Sequence, residues 1–176
     1  METLFQVPTL NGVKEAVETL KGVSTHTPLQ VCSSLSDKFE CNIQLKREDL
    51  QLVRSYKLRG AFNKMKSLNQ AELDAGIVCA SAGNHAQGVA YSCQKLGVHG
   101  VIYMPNTTPK QKVKQVSMFG KDMVEIQLVG DTYDEAYNAA MEDCIKNNKT
   151  FIHPFDDPKV IEGQATVGFE IDQQMT

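Results

Sequence analysis

Past residue 75 the chain alternates between two hydrophobic periods. Apolar runs over residues 76–80, 101–104, 123–128 and 150–152 have the length of strands, and the segments between them, 84–96, 109–119 and 132–147, repeat their apolar positions at helical spacing. Ala86, Val89, Ala90, Cys93 and Leu96 share one face before Gly97. Tyr133, Ala136, Tyr137, Ala140 and Cys144 share another, behind a Thr132/Glu135 pair at capping-box spacing. Strands and helices in such alternation require crossover connections. The pattern therefore predicts an α/β fold, a parallel sheet with helices on both faces and ligands at the carboxyl ends of its strands.

The first 75 residues are less regular. Leu10, Val13, Val17 and Leu20 predict an amphipathic helix over residues 9–21 that stops at Gly22. A helical piece over 33–39 is expected to lead into a half-buried strand at 41–46, where Ile43 and Leu45 alternate with polar neighbours. The run Lys46-Arg47-Glu48-Asp49 reads most simply as a solvated strand end, although its acids also lie close enough to Lys57 to orient it. Leu58, Ala61, Phe62 and Met65 form the apolar face of a helix over 57–67. After the last strand, Pro154 and Pro158 flank Asp156 and Asp157, a loop whose acids can cap a closing helix carrying Val160, Ile161, Val167 and Ile171. The opening helix and the Ile43/Leu45 strand are left with little of their own to pack against.

Composition narrows the class. At 176 residues and 41% hydrophobic content, the chain can build one good-sized core, or a small domain plus part of another. A net charge of -3 with scattered lysines gives no basic field for nucleic acid. Residues 1–6 carry neither a basic leader nor a long apolar run, and no later run approaches membrane-span length, so the expected setting is cytoplasmic with no membrane partner. Five cysteines at irregular spacing, without a C-x-x-C pair, predict reduced thiols, with Cys79 and Cys93 buried as small hydrophobes. His26, His99 and His153 fall in unrelated places and make no metal set.

Two stretches carry candidate chemistry. In Ser55-Tyr56-Lys57-Leu58-Arg59-Gly60-Ala61 a lysine opens an amphipathic helix. A cation is disfavoured at a helix N-terminus, and burial lowers its pKa further, which is the direction a nucleophilic amine requires. A plain surface lysine is the competing reading. In Ser81-Ala82-Gly83-Asn84-His85-Ala86-Gln87-Gly88 small and short polar residues join a strand to a helix, where free amides and the helix dipole favour a phosphate or carboxylate. Ordinary helix capping by Ser81 or Asn84 competes with that reading. The Gly83/Gly88 spacing lacks the Lys-Ser/Thr of a P-loop, and no G-x-G-x-x-G occurs, which disfavours a nucleotide. His85 reads as a cap or packed ring, or as a proton shuttle.

Taken with Lys46-Arg47-Glu48-Asp49-Leu50-Gln51, Met104-Pro105 and the Phe155 to Gln164 stretch, these motifs resemble the serine/threonine dehydratases, pyridoxal-phosphate enzymes of the β-family and of fold type II. The resemblance covers nearly the whole chain. It implies that Lys57 holds pyridoxal phosphate covalently and acts as the catalytic base, and that Asn84 hydrogen-bonds the ring oxygen of the cofactor. Ser81, Gly83, Asn84 and His85 would receive the substrate carboxylate. The activity implied is deamination of L-threonine to 2-oxobutanoate and ammonia, by α-proton abstraction and β-hydroxyl elimination, as in isoleucine biosynthesis. Serine dehydratases and serine racemase share both motifs. The cysteine-synthesis branch has Thr where His85 stands, and the long 82–90 match sits better with the threonine branch.

Two positions depart from the family pattern: Tyr56 stands where Phe is usual and Ala165 where Gly is common. The resemblance also implies a longer protein, a homo-oligomer at full length. Residues 1–51 would be the first elements of a large domain, 52–153 a complete small domain and 154–176 the start of the large-domain remainder. A glycine-rich phosphate loop and a partner for the pyridine nitrogen are not found in the sequence. Each charge-assisted bond to a phosphate contributes roughly 1.5–3 kcal/mol, so two fewer would weaken cofactor binding about a hundredfold to ten-thousandfold. A non-catalytic fragment with idle motifs is the reading from a different class.

Overall fold

The computed structural model describes residues 7–175; residues 1–6, read above for a leader, and Thr176 lie outside them. The elements run α1 (Leu10–Thr19), β1 (Leu29–Val31), α2 (Ser33–Phe39), β2 (Gln44–Lys46), a 3-10 turn at Glu48–Leu50 (a second lies at Lys121–Met123), and α3 (Lys57–Lys66). Then come α4 (Gln70–Ala75), β3 (Ile77–Ala80), α5 (Asn84–Leu96), β4 (Gly100–Met104), α6 (Lys110–Gly120), β5 (Val124–Leu128), α7 (Tyr133–Asn147), β6 (Thr150–Phe151) and α8 (Pro158–Gln174). Four strands form the predicted parallel sheet in the order β5-β4-β3-β6.

β3 lies inside this sheet and is buried at every position. Its side chains alternate between faces, as a strand period of two demands. Ile77 and Cys79 join Ala86, Val89, Ala90 and Cys93 of α5 in one cluster; Val78 and Ala80 join Ala140 and Cys144 of α7 in another. Burial holds the Cys79 thiol well above its ordinary pKa and lifts that of Cys93 to about 12, so both stay protonated. Thr132 and Glu135 form the expected capping box, and Gly97 ends α5 in the left-handed region at φ 68°. Asp157 caps α8, accepting from the amides of Lys159 and Val160.

Other expectations are corrected. α4 and β1 were not foreseen; α4 is held by an Asn69/Glu72 capping box, and β1 pairs antiparallel with β2. In β2 the inward residue is Lys46, while Leu45 is 42% exposed. The charge run is no solvated strand end, because Lys46 and Glu48 are both buried and only Arg47 and Asp49 form an exposed pair, at 2.7 Å. Nor is α1 without a partner: Val13 and Ala16 are buried, and the helix packs on α8 and α3.

What gathers these outer elements is one arginine. Arg59 is fully buried and grips two carboxylates. Its Nε and Nη2 donate to Glu48 at 2.9 and 2.8 Å, and its Nη1 and Nη2 donate to Glu170 at 2.6 and 3.0 Å. Nη1 also reaches Thr166 Oγ1 at 3.1 Å. Lys46 Nζ lies 2.5 Å from Glu170, which balances the cluster at two cations and two anions. Gly60 and Gly163 make this closeness possible, since a Cβ on Gly163 would stand 2.6 Å from the Arg59 carbonyl and one on Gly60 would stand 2.8 Å from that of Val160.

Removing one member of a buried pair strands the other charge. Arg59→Met is predicted to lower stability by about 3–5 kcal/mol, read as a drop in the denaturant midpoint. Burial alone would raise the Glu170 pKa, but bonds from Arg59 and Lys46 outweigh it and hold the group below its ordinary 4.5. Its stabilising contribution is therefore full above that value and is lost as the pH falls through the lower, folded-state pKa.

Candidate active site

Lys57 is the first residue of α3, preceded by Ser55, whose Oγ accepts its backbone N–H at 3.2 Å. The side chain turns back into the protein, and Nζ donates to the Pro154 carbonyl at 2.7 Å. Nζ also lies 5.4 Å from the centre of the Tyr56 ring. Burial lowers the amine's pKa, the direction expected from its sequence position. The suggestion that Glu48 and Asp49 orient Lys57 does not hold. Glu48 is committed to Arg59 and Asp49 to Arg47, and among the described residues Lys57 has no carboxylate within ion-pair distance.

The second stretch follows β3. Ser81 Oγ accepts from the Gly83 amide at 3.2 Å, Gly83 occupies the N-cap position of α5, and Asn84 and His85 open the helix. No side chain caps α5, so neither Ser81 nor Asn84 plays the ordinary capping role weighed above. The first-turn amides stay available beside Gly83, where an added Cβ would meet nothing within 4 Å. Asn84 is exposed, whereas His85 is only 3% exposed.

The His85 ring is fixed by one bond. Its Nε2 lies 2.9 Å from the Ile152 carbonyl, which can only accept, so the proton sits on Nε2 and Nδ1 is a bare acceptor. That Nδ1 is buried without a partner. Burial, opposed by the Ile152 bond and aided by the charges of Lys57 and His153, pushes the pKa down to about 4. The ring is neutral near pH 7, which disfavours a protonated imidazole as an acid there.

The structure brings the two stretches together. α5 and α3 meet at Gly88, where a Cβ would stand 3.1 Å from the Lys57 carbonyl carbon and oxygen and from the Leu58 nitrogen. The segment leaving β6 touches both sides, with Ile152 holding His85 and Pro154 holding Lys57. The site thus lies at the carboxyl ends of β3 and β6, the edge expected for a parallel sheet. The two acceptor carbonyls were not foreseen. The His153-Pro154 pair marked a loop in the sequence, but a backbone carbonyl leaves no residue-specific signal.

A family model described as pyridoxal-phosphate dependent enzyme matches residues 21–176. The chain is 56% identical over 174 residues to the L-threonine dehydratase biosynthetic IlvA of Bacillus subtilis, covering 97% of this chain and 41% of that relative. It superposes on the processed form of threonine deaminase isoform 2 from Solanum lycopersicum with a TM-score of 0.84 and 42% identity, over 96% of this chain and 47% of that one. Maize serine racemase gives a TM-score of 0.90 at 25% identity, over 96% and 50%. The chain therefore spans about two fifths of the curated relative and about half of the solved structures.

Gly88→Val is predicted to push α3 away from α5, at a cost of about 1–3 kcal/mol for overpacking. Thermal unfolding would report the loss. Acetylation of Lys57 should also drift toward that of exposed Lys114 in the same digest.

Proposed function

The chain belongs to the pyridoxal-phosphate dependent enzymes, and from that premise we propose that it carries the reactive-lysine part of a threonine dehydratase, which deaminates L-threonine to 2-oxobutanoate and ammonia. The observation that carries the reading is a half-buried amine with a lowered pKa on a helix whose first-turn backbone packs at Gly88 against α5, a 13-residue helix with an uncapped start. These features suit the cofactor: an amine to hold its aldehyde carbon, and open space at Gly83 next to the uncapped first turn of α5. The 56% identity to a biosynthetic threonine dehydratase supports threonine over serine, against 25% for the racemase.

In this reading Lys57 and Asn84 hold the cofactor, and Ser81, Gly83, Asn84 and His85 receive the substrate carboxylate. Pyridoxal phosphate, when bound, supplies an electron sink for the charge left as the α C–H bond breaks. Burial of Lys57 raises the fraction of neutral amine near pH 7, giving Nζ a lone pair for the cofactor carbonyl and later for the α-proton. Donation of one Nζ–H to Pro154 leaves that lone pair directed elsewhere. The α5 amides and dipole attract the carboxylate and orient the Cα–H bond. His85, neutral and anchored on Ile152, keeps the first turn in place.

The same proposal takes residues 52–153 as a small domain, flanked by portions of a larger one, within a cytoplasmic homo-oligomer acting on an amino acid. Among the described residues no helix is long and apolar enough to cross a membrane.

Incubation with pyridoxal phosphate, borohydride reduction and peptide mapping test the assignment. Label should concentrate on Lys57, vanish in Lys57→Ala, and fall about tenfold in Asn84→Ala, the loss of one hydrogen bond. Because the amine's pKa is lowered, labelling should reach half its plateau at a lower pH than at exposed lysines. Label scattered over many lysines would contradict the assignment. Release of 2-oxobutanoate from L-threonine, compared with pyruvate from L-serine and formation of D-serine, separates the branches.

A further inference from the structure

A single short segment after β6 contacts both halves of the site, and its shape is set by a histidine outside the residues assigned above. His153 Nδ1 accepts two backbone N–H groups, from Asp156 at 2.7 Å and from Phe155 at 3.3 Å. Both donors approach the same ring nitrogen, which must therefore be bare, with the proton on Nε2. The ring meets Phe151 and Phe155 edge-on, with centroids 6.1 and 4.7 Å apart. Between His153 and the two donating amides stands Pro154. Its φ is limited by the pyrrolidine ring, and its carbonyl accepts from Lys57 Nζ at 2.7 Å and Gln164 Nε2 at 3.4 Å.

We propose that His153 is a positioning residue for Lys57: by closing the turn over residues 153–156 it aims the Pro154 carbonyl at the lysine amine. The proposal rests on the reading of Lys57 as the reactive amine. A lysine carries a flexible four-carbon stem, so a directed acceptor selects one of many positions for its nitrogen. Here the acceptor belongs to the main chain, and the histidine fixes its direction. The device acts on the free amine, so it operates before the cofactor is attached and again whenever the amine is released.

Competitive acetylation of the cofactor-free chain with trace acetic anhydride, between pH 7 and 11, tests this. The Lys57 peptide is quantified against that of exposed Lys114 in the same digest. His153 is neutral over this range, since burial lowers its pKa against the opposing pull of Asp156 and Asp157. His153→Asn offers an amide oxygen close to the place of Nδ1, and should keep the wild-type Lys57 half-point. His153→Leu, which has no acceptor, should release the amine to water and move the half-point up toward that of Lys114. At pH 8 the Lys57-to-Lys114 ratio should fall about fivefold, the effect of returning the amine to water and so relieving the burial that lowers its pKa. His153→Ala repeats the test without the bulk of leucine. A wild-type half-point in a folded acceptor-free variant would overturn the proposal, as would an Asn variant that behaves like the Leu variant. No cofactor is present, so failure of pyridoxal phosphate to label Lys57 would count against the site assignment and leave this readout intact.

Discussion

Arg59 is taken entirely out of water, and the outer half of the structure depends on how its charge is met. Desolvating a guanidinium costs several kcal/mol, repaid only when its donors find well-placed acceptors. Glu48 from the turn after β2 and Glu170 from α8 meet it in two forks, and Lys46 balances the second acid. The cluster ties residues 46, 48, 59 and 170 together across more than a hundred positions of sequence. It sits at the α3–α8 crossing, where Gly60 and Gly163 allow the close approach, and Arg59 itself lies two residues after Lys57. The helix that opens with the reactive lysine is thus anchored through polar contacts at its buried side.

The inner half is held in the ordinary way, by apolar layers on a parallel sheet, and that half was legible in the sequence. α5, α7 and the four parallel strands fall within about two residues of their expected bounds, because their signals are local: a period, a cap, a stopping glycine. The outer half was harder to read. α8 buries Gly163, Thr166 and Glu170 along with Val160, a stripe that hydrophobic periodicity does not detect. Lys46 and Glu48 look like a solvated charge run until their partners, distant in sequence, are known. β1 is three residues long and α4 six, too short for a pattern to stand out.

The candidate site divides along the same line. Lys57 at a helix start and the Gly83-Asn84-His85 junction could be marked from residue types alone, since their chemistry follows from local backbone geometry. Their joining could not. It depends on the absence of a side chain at Gly88 and on two carbonyls, those of Ile152 and Pro154, in the segment that follows β6. In the sequence His153 is only a histidine without metal partners; in the fold its lone pair accepts main-chain amides.

The polar cluster around Arg59 anchors α3, the helix whose first residue is Lys57, so the setting of the lysine amine depends on it. The most direct test is to measure pyridoxal phosphate labelling of Lys57 relative to Lys114 in Arg59→Met, at a temperature where circular dichroism shows that the variant is folded. Selectivity for Lys57 should collapse while the α5–sheet core remains. A folded Arg59→Met chain that labels Lys57 with wild-type selectivity would contradict it.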